Sequence, residues 1–393
     1  MDTLDQLIPV LTGVGSFLIT YIVMPVIIDV SHLKHLCDDA DGGRKVHHKA
    51  TPNLGGVGIF AGVFIAFAVS GYALQSWVPY LAAGITILFF SGIKDDILVI
   101  SPIKKLLLQL TAITVLIWGA GLVITDLGGV FGLQSIPLWA GAVLTFFTIV
   151  VVVNAYNLID GIDGLAGGIG VIASAFFAWW FWQAGMMTHS VLAITLTGSL
   201  LAFLSFNFQP ASIFMGDTGS QIVGYLLAFF AVSFVNAGLA GETASIPFAE
   251  TIPVMVLSVL IVPLYDTLRV FLVRAFNGHS PFQPDRRHVH HQLLDMGLSH
   301  RICCYLIYSF NLAIIGLTML LAGTEINLLF GIVLLTTMIL FPTVRIKRRL
   351  LAKLGIPVPK KPYLKLIQWD NGIHQNMVAK QKEGDDDYKE IAV

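Results

Sequence analysis

The chain is divided so often by long apolar runs that no large soluble domain fits between them. Apolar residues make up 56% of the 393 residues and charged residues 12%, about half of the ~25% usual in globular domains. A membrane-spanning helix needs about 20 mainly apolar residues. Runs of about that length cover 7–30, 55–74, 77–93, 106–124, 136–153, 165–185, 190–206, 219–238, 252–273, 302–322 and 327–343. We therefore predict an all-α, polytopic integral membrane protein with about eleven transmembrane helices.

Lysine and arginine residues segregate to one side of this pattern. All 23 lie in or beside the loops that follow odd-numbered runs, or in the C-terminal segment, and the other loops contain none. By the positive-inside rule the basic side is cytoplasmic, which predicts an N-terminus outside and a C-terminus inside. The first run is too long for a signal-peptide core, so we expect it to stay as a span. We divide the chain into a transmembrane domain, residues 1–345, and a cytoplasmic tail, residues 346–393.

Polar residues beside the runs are concentrated in five segments on the predicted cytoplasmic side. The most informative segment contains Asn154, Asn157, Asp160 and Asp163 at every third position, so that neighbours meet on one helix face. Helix capping would explain one of these residues but not the set. Hard cations prefer oxygen ligands, so the two carboxylates indicate a magnesium site or a polar substrate.

Two further segments are also rich in carboxylates or amides. Adjacent helical side chains point about 100° apart, so Asp95 and Asp96 cannot both face one ligand. We expect one to act on a substrate and the other to brace a lysine, although a solvated helix end would explain this pair taken alone. The segment 207–220 includes Asp217 about one turn before the eighth run, where helix N-capping is the simplest role.

Basic and imidazole side chains make up the last two segments. The segment 44–56 includes Lys45 and His47. Any cytoplasmic loop can be basic, so this segment alone is weak evidence for a binding site. The other segment contains Arg286, Arg287, His288, His290 and His291. Cationic and imidazole donors suit a phosphate or diphosphate, and an ordinary basic loop would not explain three histidines. A zinc site is the alternative, but no cysteine cluster accompanies it.

Together these segments resemble the polyprenyl-phosphate N-acetylhexosamine-1-phosphate transferase family. The matching motifs, in order, are Pro52-Asn53-Leu54-Gly55-Gly56, Lys94-Asp95-Asp96, Asn157-Leu158-Ile159-Asp160-Gly161-Ile162-Asp163-Gly164-Leu165, Phe214-Met215-Gly216-Asp217-Thr218-Gly219-Ser220 and His288-Val289-His290-His291. The resemblance covers residues 20–345 approximately. It favours the bacterial enzymes that prime O-antigen, common-antigen or wall teichoic acid synthesis. The muramyl-pentapeptide branch of the family typically has three consecutive histidines. Val289 interrupts the run here, which argues against that branch.

The resemblance implies an enzyme of the bacterial cytoplasmic membrane. The phosphate of undecaprenyl phosphate would attack the β-phosphorus of a UDP-N-acetylhexosamine, with UDP-GlcNAc as first choice, and release UMP. The implied cofactor is Mg²⁺, or alternatively Mn²⁺, on Asp217 and Asn157. The implied catalytic residues are Asp95, Asp96, Asp160, Asp163, His288, His290 and His291. The implied substrate-binding residues are Lys45, His47, Lys104, Asn207, Phe214, Arg286 and Arg287.

A general base is the role usually given to Asp95 or Asp96 in this family. A phosphate monoester has a second pKa of about 6, so the lipid phosphate is largely a dianion at neutral pH. We therefore expect Asp95 or Asp96 to orient the nucleophile or bind Lys104 at least as much as to remove a proton.

Two other classes of protein fit parts of the pattern. A secondary transporter would also carry polar residues among its spans, but nearer mid-membrane and often within inverted repeats. A polyprenyl-diphosphate phosphatase would share the lipid and the cationic loop without needing the amide-and-carboxylate segment. As partners we expect the two substrates and membrane lipids, no nucleic acid, and a homodimer as the candidate assembly.

Overall fold

A computed structural model of the chain describes residues 3–38, 51–98, 100–240, 251–278 and 287–341. These residues form thirteen α-helices and one short antiparallel strand pair. The helices are α1 Thr3–Leu33, α2 Gly55–Val69, α3 Val78–Leu98, α4 Pro102–Ala120, α5 Leu138–Ile159, α6 Leu165–Gln183, α7 Met187–Asn207, α8 Gly216–Leu239, α9 Ile252–Val259, α10 Ile261–Phe276, α11 Val289–Leu294, α12 His300–Leu320 and α13 Ile326–Leu340. The strands are β1 Cys37–Asp38 and β2 Thr51–Pro52.

The all-α, polytopic prediction is confirmed, because every predicted apolar run coincides with a helix or a helix pair. Seven described helices are long and apolar enough to cross a membrane, or eight if α9 and α10 form one broken span. Helices α2 and α13 are apolar but shorter. The count of eleven spans and the orientation stay predictions, and the tail beyond residue 341 lies outside the described residues.

The ninth apolar run differs from a simple spanning helix. It forms α9 and α10, which are bent by 78° at Leu260. Pro263, in the first turn of α10, has no backbone N–H to donate, and its ring clashes with the carbonyl four residues earlier. The apolar pattern continues through the break, because both helices bury apolar residues against the same core.

Helix α8 is the centre of the bundle. In its apolar window 83% of the residues are buried, compared with 28% in α1, which lies at the periphery. Close approach to its neighbours requires glycine. A Cβ on Gly56 of α2 would lie 2.1 Å from the backbone nitrogen of Gly219, and one on Gly224 would lie 2.9 Å from Cα of Val153 in α5.

The helix directions bring the polar segments to one end of the bundle, which we call the site end. Helices α2, α4, α6 and α8 begin there, and α3, α5 and α7 end there. Backbone bonds tie the segment before α2 to the start of α8: Phe214 donates to the carbonyl of Pro52 at 2.8 Å, and Gly55 donates to that of Phe214 at 3.0 Å. Strands β1 and β2 pair at the same end.

Candidate active site

The carboxylate of Asp96, near the end of α3, binds the first turn of α8. It accepts hydrogen bonds from the backbone nitrogens of Asp217 at 2.7 Å and Thr218 at 3.0 Å, and from the Thr218 hydroxyl. The N-cap residue of α8, Met215, makes no side-chain cap bond. Asp96 therefore supplies from another helix the acceptor that the first N–H groups need, and its charge lies at the positive end of α8.

This arrangement excludes the simpler alternative for Asp217, that it caps α8. Asp217 lies inside the first turn, and the capping carboxylate is that of Asp96. The preceding Gly216 has φ +72°, and a Cβ there would lie 2.0 Å from the Asn53 carbonyl oxygen and 2.8 Å from an Asp96 oxygen. Only glycine fits this left-handed position between two oxygen-bearing groups.

Lys105, near the start of α4, bridges two carboxylates. Its Nζ lies 3.0 Å from Oδ2 of Asp95 and donates to Oδ1 of Asp217. The other oxygen of Asp95 accepts from the Ile100 backbone nitrogen at 2.8 Å. Asp95 and Asp96 thus bind different partners, as their helical spacing predicts. The expected lysine partner was wrong, because Lys104 is exposed and the next residue on α4 faces the carboxylates.

Asn157, in the last turn of α5, lies beside Asp217. Its Nδ2 donates to Oδ1 of Asp217 at 2.6 Å and to the hydroxyl of Ser220 at 2.7 Å. The amide nitrogen is fully used, so Oδ1 is the atom of Asn157 that can bind a cation. The Asp217 side chain is 33% exposed, so a ligand can reach it.

The loop between α5 and α6, residues 160–164, carries two further predicted carboxylates, and we call it the acid loop. Burial and the nearby carboxylates of Asp217, Asp96 and Asp163 raise the pKa of Asp160 to about 7. Asp163 is 4% exposed; its Oδ2 accepts from the Ala211 backbone nitrogen at 3.3 Å and lies 3.4 Å from Nδ1 of His300. The carboxylates of Asp217, Asp96 and Asp163 thus lie near that of Asp160, and a cation would relieve their repulsion.

Asn207 and Phe214 were predicted to contact the nucleotide. Asn207 is 3% exposed and joins two loops: Oδ1 accepts from the Gly164 backbone nitrogen and Nδ2 donates to the Ile213 carbonyl, both at 2.9 Å. Both polar atoms of its side chain are engaged, so the geometry gives Asn207 a bracing role. Phe214 is half-buried. Their nucleotide contacts stay predictions.

Asp266, a fully buried carboxylate in α10, binds the described part of the histidine loop, which we define as residues 285–292 and which the structure describes from residue 287. Its Oδ2 lies 2.9 Å from Nδ1 of His288, and its Oδ1 accepts from the Val289 backbone nitrogen at 3.1 Å and from Arg269 at 2.8 Å. A carboxylate on one imidazole nitrogen fixes the tautomer and leaves Nε2 for another ligand. Asp266 is not among the residues predicted from the sequence, although a lone acidic residue within an apolar run is itself a functional signal.

His290 connects the histidine loop to the acid loop. It is 1% exposed, and a Cβ on Gly161 would lie 2.2 Å from its Nε2, so the ring rests directly on that glycine. Burial and the neighbouring His291 lower the pKa of His290 to about 3. The ring is therefore neutral near pH 7, and its contact with a diphosphate stays a prediction.

The structure thus brings Asp95, Asp96, Asn157, Asp160, Asp163, Asp217, His288, His290 and His291 to the site end. Arg287 is half-buried at the start of the described part of the histidine loop. Lys45, His47 and Arg286 lie outside the described residues.

A second polar layer lies one helical turn deeper in the bundle. Nδ2 of Asn154 donates to Oε1 of Gln109 at 3.1 Å, and Nε2 of Gln109 donates to Gln221 at 3.3 Å. Gln109 and Gln221 follow Lys105 and Asp217 by four residues on the same helices. Asn154 therefore belongs to this deeper layer, away from the carboxylates.

Residues 78–235 match the sequence model of the family described as Glycosyl transferase family 4. The chain is 32% identical over 301 residues to a probable undecaprenyl-phosphate N-acetylglucosaminyl 1-phosphate transferase of Bacillus subtilis, covering 76% of this chain and 81% of that protein. It is 33% identical to a decaprenyl-phosphate N-acetylglucosaminephosphotransferase of Mycobacterium leprae, covering 67% and 72%. It is 31% identical to an undecaprenyl-phosphate alpha-N-acetylglucosaminyl 1-phosphate transferase of Salmonella typhi, covering 67% and 70%. The chain therefore belongs to the polyprenyl-phosphate N-acetylhexosamine-1-phosphate transferases of glycosyl transferase family 4.

Proposed function

We propose that this protein transfers N-acetylhexosamine-1-phosphate, most simply GlcNAc-1-phosphate, from a UDP-sugar to undecaprenyl phosphate and releases UMP. The relatives named above act on polyprenyl phosphates, and their names specify N-acetylglucosaminyl 1-phosphate transfer. The observation that carries the proposal for this chain is the contact of Asp217 with both Asn157 and Lys105 at the site end. We place the reaction at the cytoplasmic face of the bacterial inner membrane, the side that collects the basic residues.

Mg²⁺ is the proposed cofactor, with Asp217 and Oδ1 of Asn157 as its protein ligands. No cluster of three or more histidine, cysteine or acidic side chains within the described ranges is arranged to hold a metal by itself. Mg²⁺ does not need such a cage, since one or two carboxylates with waters and substrate phosphates usually suffice. When bound, the ion would neutralise charge on the diphosphate oxygens. Burial and the carboxylates of Asp217, Asp96 and Asp163 raise the pKa of Asp160, so a cation bound near them would favour its ionised form.

The residues of the chain supply positioning and charge, which dominate catalysis of phosphoryl transfer. Lys105 holds Asp217 and Asp95 and brings a positive charge to the carboxylate cluster. Asp96 fixes the first turn of α8 and hence the direction of the Asp217 side chain. Asp266 orients the His288 ring through Nδ1 and leaves Nε2 to meet the substrate.

A proton-removing role for Asp96 finds little support in this geometry. Both of its carboxylate oxygens already accept hydrogen bonds from the start of α8. The attacking phosphate is largely a dianion near neutral pH, so the reaction requires no proton removal. The negative charge of Asp96 instead stabilises the helix end that carries Asp217.

The direct test uses purified protein in detergent with radiolabelled UDP-GlcNAc and undecaprenyl phosphate. We expect label in the lipid fraction, an equal amount of UMP, and loss of both when EDTA removes divalent ions. Release of inorganic phosphate from polyprenyl diphosphate without label transfer would indicate a phosphatase instead. Uptake of substrate into proteoliposomes without chemistry would indicate a transporter. A panel of UDP-sugars identifies the donor, and light scattering of the same sample tests the proposed homodimer.

A further inference from the structure

Helix α12 lies outside the residues that match the family model, yet one of its faces contacts the acid loop. His300, Cys304 and Tyr308 recur every four residues, so they lie on the same side of α12. Each contacts the segment Asp163–Gly164. Nδ1 of His300 lies 3.4 Å from Oδ2 of Asp163, the Cys304 thiol donates to the Asp163 carbonyl at 3.3 Å, and the Tyr308 hydroxyl donates to the Gly164 carbonyl.

The acid loop is constrained to meet these donors. Gly164 has φ +86°, and its backbone nitrogen is held by Asn207 on the opposite side. The Gly164 carbonyl also accepts the first backbone bond of α6, from Gly168 at 2.9 Å. A Cβ on Gly168 would lie 2.0 Å from the Tyr308 hydroxyl oxygen, so a glycine is needed there for α12 to approach. The loop is thus fixed between α7 and α12.

We propose that Cys304 and Tyr308 are positioning residues that hold the acid loop at a fixed position relative to Asp217. This inference rests on the proposed function, because the acid loop matters to it through Asp160 and Asp163. The hydrogen bonds of both residues to the acid loop go to backbone carbonyls, and neither residue lies in a sequence motif. They act through the backbone carbonyls of the loop, which fix where the side chains of Asp160 and Asp163 point. Because α12 follows the histidine loop after only a few residues, it also links the acid loop to the loop that carries His288.

The substitution Tyr308→Phe removes one hydroxyl and keeps the ring. We expect kcat to fall roughly three- to tenfold, which corresponds to about 0.6–1.4 kcal/mol, the size of one hydrogen bond. The Mg²⁺ concentration for half-maximal rate should rise, and KM for undecaprenyl phosphate should not change. Cys304→Ala should act in the same direction, and Cys304→Ser, which restores a donor, should recover most of the loss.

Two neighbours on α12 provide matched controls. Tyr305 is 58% exposed and packs its ring against Phe208, so Tyr305→Phe makes the same chemical change at a hydroxyl that is not bonded to the acid loop. Cys303 is buried next to Cys304, so Cys303→Ala makes the same change one position away. Both controls should keep wild-type kcat and Mg²⁺ dependence.

Hydrogen–deuterium exchange of the backbone in residues 157–168 provides a readout that needs no activity. We expect faster exchange in Tyr308→Phe and Cys304→Ala than in wild type and the controls. Unchanged exchange would overturn the proposal, and so would faster exchange with unchanged kinetics per folded molecule. If wild-type protein transfers no sugar phosphate at all, the proposed function fails, and the exchange measurement still decides whether α12 holds the loop.

Discussion

The carboxylate of Asp96 at the end of α3 accepts a 2.7 Å hydrogen bond from the backbone nitrogen of Asp217 at the start of α8. One acidic residue therefore fixes the helix end that carries another. A carboxylate engaged in this way is poorly placed to remove a proton, so its contribution to turnover should come from geometry.

The substitution Asp96→Asn tests this interpretation, because it keeps the shape and removes the charge. Hydrogen bonds to charged groups contribute about 1.5–3 kcal/mol, so we expect kcat to fall roughly 10- to 100-fold. The fall should persist at high pH. The measurement is the pH–rate profile of both proteins at saturating substrates. Recovery of the Asp96→Asn rate towards the wild-type rate at high pH would instead identify Asp96 as the base, because hydroxide can then remove the proton.

A second prediction concerns the metal. Asp217→Asn keeps the side-chain volume and the α8 backbone, which Asp96 holds, so the variant should insert and fold normally. It should lose nearly all turnover, together with the dependence of rate on Mg²⁺ or Mn²⁺, because a carboxylate ligand becomes an amide. The measurement is turnover against metal concentration. Wild-type turnover with unchanged metal dependence would move the metal to Asp160 and Asp163.

The sequence predicts the helical fold and the clustering of several polar residues at one end of the bundle, for physical reasons. Apolar runs of spanning length can only form helices in a bilayer, because each backbone polar group must be bonded within its own segment. The spacing from Asn157 to Asp160 predicts a shared helix face, and both lie near Asp217.

What the sequence did not predict depends on helix rotation and tertiary packing. Lys104 and Lys105 are equivalent in pattern, and only the rotation of α4 decides which one reaches Asp217. Asp266 is a single acidic residue within an apolar run, and its partner His288 lies 22 residues away. The bracing bonds of Asn207 involve backbone atoms of two loops, which no side-chain pattern reveals.

A third prediction tests the contact between the two loops. Gly161→Ala would place a Cβ 2.2 Å from Nε2 of His290, so the ring or the acid loop must shift. Because side chains of both loops are proposed to stabilise the transition state, we expect the fall in kcat to be larger than the rise in KM for the UDP-sugar. A Cβ on Gly316 meets nothing within 4 Å, which makes Gly316→Ala a matched control. Equal kinetics in the two variants would show that this contact does not matter for turnover.

A fourth prediction follows from Asp160. Its pKa is raised from 3.8 to about 7 in the folded protein, so the folded state binds the proton more tightly than the unfolded state. The stability that protonated Asp160 contributes is fully present below its pKa in the unfolded chain, and it is lost as pH rises through about 7. In EDTA, the Tm of wild type in detergent should therefore fall between pH 5 and pH 8 relative to Asp160→Asn. Parallel Tm curves for the two proteins would contradict the raised pKa.

The last prediction concerns orientation, which rests on the one-sided distribution of basic residues. Ser135 forms a short β-bridge with Asp126, and Ser212 lies in the loop before α8. Both serines are exposed, and they lie on opposite predicted faces of the membrane. In a variant whose native cysteines are replaced by serine, Ser135→Cys should react with an impermeant maleimide added to intact cells. Ser212→Cys should react only after the membrane is opened, because the site end is predicted to be cytoplasmic. Labelling of Ser212→Cys from outside would place the acid loop and the histidine loop outside the cell, whereas the UDP-sugar is inside. The proposed function would then fail, because the site could not reach its donor.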